Sequence, residues 1–265
     1  MTRFARAPDG VSIAYLVSGD GPLDLLFPSG FPLDLYWDEP GFVRFARHLG
    51  RFCRVVMSDQ RGVGASGGDV RDSYVEEIHA SDVAAVLDAV GCERAVLVGT
   101  DAGGPRWISY AAAHPERVRA LVLVNTYARY LRADDYPWGV PPEALERSVV
   151  ALAEARGTGA TVDLIAPSKS GDEAFRRWFA RSERLARPVD RAADGLRANL
   201  LEDVRGLLPT LTVPTLVLHR VGDRFIRVGA GRYLADHIPG AKYVELPGDD
   251  HLFIVGDTDG LLDEI

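Results

Sequence analysis

VLVGTDAGGP, residues 96–105, decides how the rest of the chain is read. An apolar, β-branched run stops at small residues and gives way to PRWISYAAAHPERV, which has the character of a helix closed by the turn at Pro115. A Gly-x-Ser-x-Gly pattern in such a strand–turn–helix setting puts a nucleophile on a sharp turn at the top of a sheet. Here the pattern reads Gly99, Thr100, Asp101, Ala102, Gly103, with Gly104 following. The small residues that let the backbone fold tightly are kept, and the serine is an aspartate. Where a strand ends and a helix opens, the helix dipole and its unpaired N–H groups favour negative charge. Asp101 is therefore expected to be charged and open to an incoming molecule.

Outward from this turn, VSIAYLV, LDLLFPSG, RVVMSDQ, RAVLVGT, ALVLVNT, PTLVLHR and KYVELPG read as strands. Several are apolar at nearly every position, as strands buried on both faces of a parallel sheet are. YVEEIHASDVAAVLDAVG carries Val83, Val86, Leu87 and Val90 at helical spacing and stops at Gly91. TRFARAPDGVSIAYLVSGDG reads as strand, Asp-Gly turn, strand, so the sheet is expected to begin with an antiparallel hairpin. The fold class is α/β, a mostly parallel central sheet flanked by helices. Beyond Asn125 the alternation stops, and a charged, aromatic-rich, helix-like stretch runs to about Pro209. The expected organisation is a core of residues 1–126 and 210–265 interrupted by a helical lid, 127–209. The insertion follows a strand C-terminus, where open α/β sheets bind ligands; a solvated helical bundle is the alternative.

Composition narrows the class of partner. The net charge of -8, from 30 basic and 38 acidic residues, shows no run of either sign, which argues against nucleic acid. Cys53 and Cys92 stand apart without CxxC or Cys/His spacing, so neither a disulfide framework nor a metal site is expected, and a cytoplasmic chain fits. MTRFARAPDG lacks the apolar core of a signal peptide, and no segment has the roughly 18 apolar residues of a membrane span.

Two further side chains follow in the order acid, then histidine. VLHRVGDRFIRV ends a strand with Asp223 and VELPGDDHLF ends the next with His251, both in loops at strand C-termini. Asp101, Asp223, His251 is the chain order of a nucleophile–acid–histidine triad on this kind of sheet. His48, His79, His114, His219 and His237 lie in or beside regular elements and read as structural or solvated. An oxyanion site would use the backbone N–H of Ala102 and one from the FPSGFPLD loop, at Phe31.

At these residues the chain resembles the α/β-hydrolase superfamily over essentially its whole length. SDQRGVGASG resembles its Asp-x-Arg-Gly-x-Gly-x-Ser segment, AHPERVRALVLVN the stretch before its lid, and GDRFIRVGAGRYLADHIPGAKYVELPGDDH its acid-to-histidine section. An aspartate in the elbow is similar to the epoxide hydrolase and haloalkane dehalogenase branches, where that carboxylate attacks carbon. SGFP resembles the His-Gly-x-Pro loop of epoxide hydrolases, with Ser29 replacing the histidine. LHRVGDRFIRVGAGRYLADHIPG and VGDTDGLLDEI are similar to hydrolase-like domains found N-terminal to class III adenylate cyclase domains in actinobacterial proteins. That resemblance implies a fused C-terminal effector domain, and the chain stops at LLDEI within its expected final helix.

The resemblance implies alkylation of Asp101, then hydrolysis of the ester by water that His251 activates under the orientation of Asp223, with no cofactor. Lid tyrosines protonate the oxygen in the related epoxide enzymes, which makes Tyr127, Tyr130 and Tyr136 candidates beside their alternative as packing residues. Haloalkane dehalogenases usually place a tryptophan after the nucleophile; Ala102 stands here, leaving Trp138 or Trp178 to offer an indole N–H. Three readings stay open: epoxide hydrolysis of a small apolar molecule, dehalogenation or another hydrolysis by the same groups, and a non-enzymatic small-molecule sensor.

Overall fold

The apolar runs form strands because β-branched and aromatic side chains fill both faces of a pleated surface. The structure, a computed structural model, describes residues 1–186 and 196–265; the helix-like reading of RPVDRAADG, 187–195, lies outside the described residues. Strands β1 (Arg3–Arg6), β2 (Ser12–Ser18), β3 (Leu23–Ser29), β4 (Cys53–Asp59), β5 (Ala95–Asp101), β6 (Val118–Thr126), β7 (Thr215–Arg220) and β8 (Lys242–Leu246) make one sheet in the order β1-β2-β4-β3-β5-β6-β7-β8. β1 and β2 form the antiparallel hairpin, β2 runs antiparallel to β4, and every pairing from β4 to β8 is parallel.

Helices among the described residues include α1 (Leu33–Tyr36), α2 (Pro40–Leu49), α3 (Glu76–Ala89), α4 (Gly103–Ala113), α5 (Leu145–Ala155), α6 (Val162–Ile165), α7 (Glu173–Ala186), α8 (Val228–His237) and α9 (Thr258–Leu262). Because successive strand side chains point to opposite faces, each buried run divides between two cores. Leu26, Val56, Leu97, Leu121 and Leu123 join residues of α3, α4 and α8. Leu25, Val55, Val98 and Val122 join residues of α2 and α9. The sequence reading names no helix over α2, although Glu39 caps it through the Gly41 N–H at 2.9 Å, Pro40 opens it, and Phe42, Phe45, Ala46 and Leu49 line one face.

β3 and β5 are neighbours, yet the helices that follow them lie on opposite faces of the sheet, α2 in one core and α4 in the other. Such a switch point opens a crevice at the strand C-termini. Ser29–Pro32 lies on one side of it and Asp101 on the other. The SDQRGVGASG segment braces the first side: Asp59 accepts the Leu33 N–H and the Ala65 N–H, each at 2.9 Å. Arg61, almost fully buried, pairs with Asp82 and Asp9, both at 2.6 Å. Gly64 has φ +56° and stands so close to Asp59 that a Cβ would meet its Oδ2 at 2.3 Å. Between β6 and β7 the described residues form α5, α6, α7, a helical run over 196–201 and short 3-10 turns, and their only β-structure is isolated bridges. Among the described residues no helix is long and apolar enough to cross a membrane.

The junction of β5 and α4 yields a paired prediction. A Cβ on Gly104 would fall 2.0 Å from Thr126 Oγ1, while one on Gly103 meets nothing within 4 Å. Gly104→Ala should lower stability by about 1–3 kcal/mol, the range of overpacked sites. Gly103→Ala should be neutral or stabilise by up to about 1 kcal/mol, as helical glycines do on gaining a methyl group. Urea denaturation of the two variants checks the contrast, and equal losses would contradict it.

Candidate active site

Asp101 ends β5 with φ +48°, a left-handed conformation that costs a non-glycine residue of order 1–3 kcal/mol and survives only where the surroundings hold it. Thr126 Oγ1 donates to the Asp101 carbonyl, and Gly99 lets the next helix approach so closely that its Cβ would stand 3.0 Å from Gly104 Cα. The turn throws the side chain outward. Its carboxylate is 48% exposed, against 4% for His251 and 0% for Asp223.

His251 Nδ1 is 2.8 Å from Asp223 Oδ2, and its Nε2 is 3.6 Å from Asp101 Oδ1, an ion-pair distance rather than a hydrogen bond. The other oxygen of Asp223 accepts the Phe225 N–H at 2.8 Å and the Ile226 N–H at 3.0 Å, which fixes the acid within its loop. The Phe225 ring meets the imidazole edge-on at 4.9 Å. Burial pushes the His251 imidazole down, but Asp101 and Asp223 together outweigh it and raise the group to about 9. At neutral pH the histidine is thus an imidazolium between two carboxylates.

The predicted lid residues divide by position. The Tyr130 hydroxyl is pushed up to about 12 by burial and then by the charge of Asp101. Tyr127 is raised well above its ordinary value by burial, then Asp101, then Glu202, and its hydroxyl is shut off from solvent without a protein partner. The two rings lie 5.6 Å apart and line, with Phe225, a small cavity of about 20 Å³. Tyr136 lines the same cavity, edge-on to Tyr233 at 4.9 Å and to Trp138 at 5.5 Å. Trp178 donates its indole N–H to the Leu35 carbonyl at 2.7 Å, which commits that group to joining the insertion to the core. Trp138 is partly exposed and lines the same small cavity. A larger cavity of about 270 Å³ lies further along α4, between His79, Arg106, Ser109 and Glu202, and contains none of the triad.

Of the two expected oxyanion residues, Ala102 is the N-cap of α4, so its N–H follows the elbow. The Phe31 ring packs against Tyr36, Trp178 and Phe179. Burial raises the Tyr36 hydroxyl to about 12, opposed by the polar groups of Ser29, Gly30 and Phe31 beside it, and the Ser29 hydroxyl donates to the Phe31 carbonyl.

Sequence reasoning missed Tyr36, and also His219, Asn125 and Thr126. His219 is fully buried, with Nε2 2.8 Å from the Ile226 carbonyl and 3.8 Å from Asp223 Oδ2, so the acid sits between two imidazoles. Its place four residues before Asp223 at a strand end was the available signal, and inward-facing strand histidines give no other.

Comparison with known proteins agrees with this architecture. A profile of the α/β hydrolase fold matches residues 25–258. The bifunctional esterase/perhydrolase DCH of Acinetobacter calcoaceticus is 27% identical over 262 residues, 94% of this chain and 92% of that protein. The pimeloyl-acyl-carrier protein methyl ester esterase of Nitrosomonas europaea is 29% identical over 247 residues, 91% and 92% of the two chains. Among solved structures, the esterase EaEST from Exiguobacterium antarcticum superposes with a TM-score of 0.83 at 20% identity, covering 99% of this chain and 97% of its own. With its elbow, its switch-point crevice and a helical insertion after β6, the chain belongs to the α/β hydrolase fold family.

Proposed function

We propose that this chain is a hydrolase in which Asp101 is the nucleophile, acting on an sp3 carbon of a small apolar molecule, with an epoxide as the substrate class. The observation that carries the reading is the exposed carboxylate on the left-handed elbow with His251 Nε2 at 3.6 Å. An Asp101 oxygen attacks the epoxide carbon, the ring C–O bond breaks, and the alkoxide takes a proton from Tyr130. His251 gives its proton to the Tyr130 phenolate and then removes one from water, which attacks the carbonyl of the Asp101 ester. The ester C–O bond breaks, His251 returns that proton to the departing oxygen to release a diol, and the acid form of Asp101 left by water attack gives its proton back to His251, restoring carboxylate and imidazolium. Tyr130 is the better donor of the two tyrosines near Asp101 because the Tyr127 hydroxyl is closed off.

The raised His251 supports this division of labour. A serine at the elbow would need a neutral histidine in the resting state to take its proton. A carboxylate needs none. Once Asp101 becomes a neutral ester, one of the two charges holding the proton on His251 is gone, and the histidine turns into a base at the step that uses one.

A second reading, hydrolysis of an ester, is favoured by the names of the relatives, an esterase/perhydrolase and a methyl ester esterase. Attack of Asp101 on an acyl carbon would give an anhydride, cleared by the same His251 and water. The side chain that accumulates label is the same; the mass of the adduct distinguishes the substrates.

Three outcomes are expected. Incubated with a reactive epoxide, His251→Ala should gain one stoichiometric mass increment that peptide mapping locates on Asp101, while the unmodified chain turns over without accumulating it. Loss of the first step in His251→Ala would point to a histidine-dependent nucleophile. Saturable binding without an adduct in either protein would point to a sensor, including one fused to a cyclase or other effector. Tyr130→Phe should slow alkylation by about 10²–10⁴-fold, measured as single-turnover adduct formation, and an undiminished rate would place the acid elsewhere. The third outcome concerns stability. The folded pKa of His251 lies above its unfolded value of 6.5, so its stabilisation is full below about 6.5 and is lost as pH rises through about 9. Denaturation midpoints between these values should fall more steeply in the unmodified chain than in His251→Gln.

A further inference from the structure

We propose that Asn125 is a positioning residue for His251, and that the loop carrying the histidine is clamped between core and cap, so that His251 meets Asp101 only while the cap is seated. The kinetic half of this proposal rests on the Asp101 reading above; the structural half does not.

The core side begins with a bulge. In the β5–β6 ladder Thr100 pairs with Val124 and Asp101 with Thr126, which leaves Asn125 as the extra residue. Asn125 has φ +47° and, with Asp101, is one of the two non-glycine residues in the left-handed region among those described. It is 1% exposed and both ends of its amide are used. Nδ2 donates to the His251 carbonyl at 2.8 Å, with the Asp250 carbonyl at 3.4 Å, and Oδ1 accepts the Arg220 N–H at 2.9 Å. β6 and β7 pair up to Val124 and Leu218, and beyond that point the Asn125 side chain does the work of a backbone. The same Arg220, buried to 1%, spreads its guanidinium over the carbonyls of Asp250 (2.9 Å), Leu252 (3.0 Å), Val255 (2.7 Å) and Asp257 (3.2 Å). A buried cation with that many directional bonds fixes the loop's path.

The cap side is made by the insertion. The N–H groups of His251 and Leu252 both donate to the carbonyl of Ile165, the last residue of α6, at 2.9 Å each. Asp250 Oδ1 accepts the Ser168 N–H at 2.9 Å. The backbone N–H of His251 is therefore held by the cap and its backbone carbonyl by the core, while Asp223 holds its Nδ1. Only Nε2 is left to face Asp101. A shift of about 1 Å in such a group is enough to cost about 10²-fold in rate.

Four variants test the two sides. Asn125→Gly accepts the left-handed backbone and deletes the amide; Asn125→Asp also tolerates that conformation and turns the donor facing His251 into an acceptor. Asp250→Ala releases the Ser168 N–H, and Asp250→Asn keeps an acceptor for it. Histidine ¹⁵N NMR on the whole chain follows the His251 Nδ1 proton and its titration midpoint, with circular dichroism as the check on folding. In folded Asn125→Gly, Asn125→Asp and Asp250→Ala the Nδ1 proton should exchange faster and the midpoint should move down from about 9 toward 6.5, with Asp250→Asn close to the unmodified chain. With an epoxide that the unmodified chain hydrolyses, formation of the Asp101 adduct should change by less than about twofold while its release slows by about 10–100-fold. An unmoved Nδ1 signal and midpoint in the folded variants, or equal slowing of both steps, overturns the clamp. Failure of every epoxide with the unmodified chain, alongside a shifted midpoint in the variants, overturns the functional reading and leaves the clamp standing.

Discussion

The bulge at the end of β6 is the constraint on which the site's geometry rests. In a regular strand, consecutive side chains point to opposite faces of the sheet. The extra residue at Asn125 breaks that alternation just where the strand leaves the sheet, so that Asn125 reaches the main chain of His251 while Thr126 reaches the carbonyl of Asp101. Two left-handed residues on neighbouring strands, Asp101 and Asn125, are thereby stabilised by one local irregularity. Each alone would cost of order 1–3 kcal/mol, and neither conformation has a purpose without the other. The elbow presents a carboxylate, and the bulge brings a histidine to it.

Charge then decides how the site can work. A buried imidazole is ordinarily easier to deprotonate, because burial disfavours its charged form. His251 shows the reverse outcome only because two carboxylates act on it, one fully buried at 2.8 Å and one half-exposed at 3.6 Å. These contributions differ in permanence. Asp223 is locked by the N–H groups of Phe225 and Ile226 and stays as it is. Asp101 is the group that faces incoming molecules, and any covalent change there removes its charge from the histidine. In the proposed reaction, esterification of Asp101 would therefore lower the basicity that its charge gives to His251.

The sheet, its opening hairpin and the order Asp101, Asp223, His251 were legible in the sequence, because buried parallel strands leave continuous apolar runs and these three residues stand at or just after the ends of β5, β7 and β8. Position within a bulge was not legible. LVLVNT reads as an unbroken strand, and nothing in it separates Asn125 from a residue of the ladder. Nor could periodicity tell which of Tyr127, Tyr130 and Tyr136 turns toward Asp101, since that depends on how the chain folds back after β6. Trp178 illustrates the same limit from the other side: an indole suited to a ligand by chemistry is bound to the Leu35 carbonyl by packing. His219 reads as a strand histidine, and it does lie in β7, yet its ring adjoins the carboxylate of the acid.

The point of departure of the cap follows from these contacts. The insertion leaves directly from Thr126, and Tyr127 and Tyr130 are buried near enough to Asp101 to feel its charge. Later in the insertion, Ile165 and Ser168 return to the histidine loop and Trp178 to α1. A segment anchored beside Asp101, at the loop of His251 and at Leu35 cannot be exchanged as an independent unit. Any change in its packing that widens the space for a larger substrate also pulls on the main chain of His251. If the proposed two-step reaction holds, substrate range and the alignment of its second step are linked through these contacts, and residues that alter one without the other should lie on parts of the insertion distant from Ile165 and Ser168.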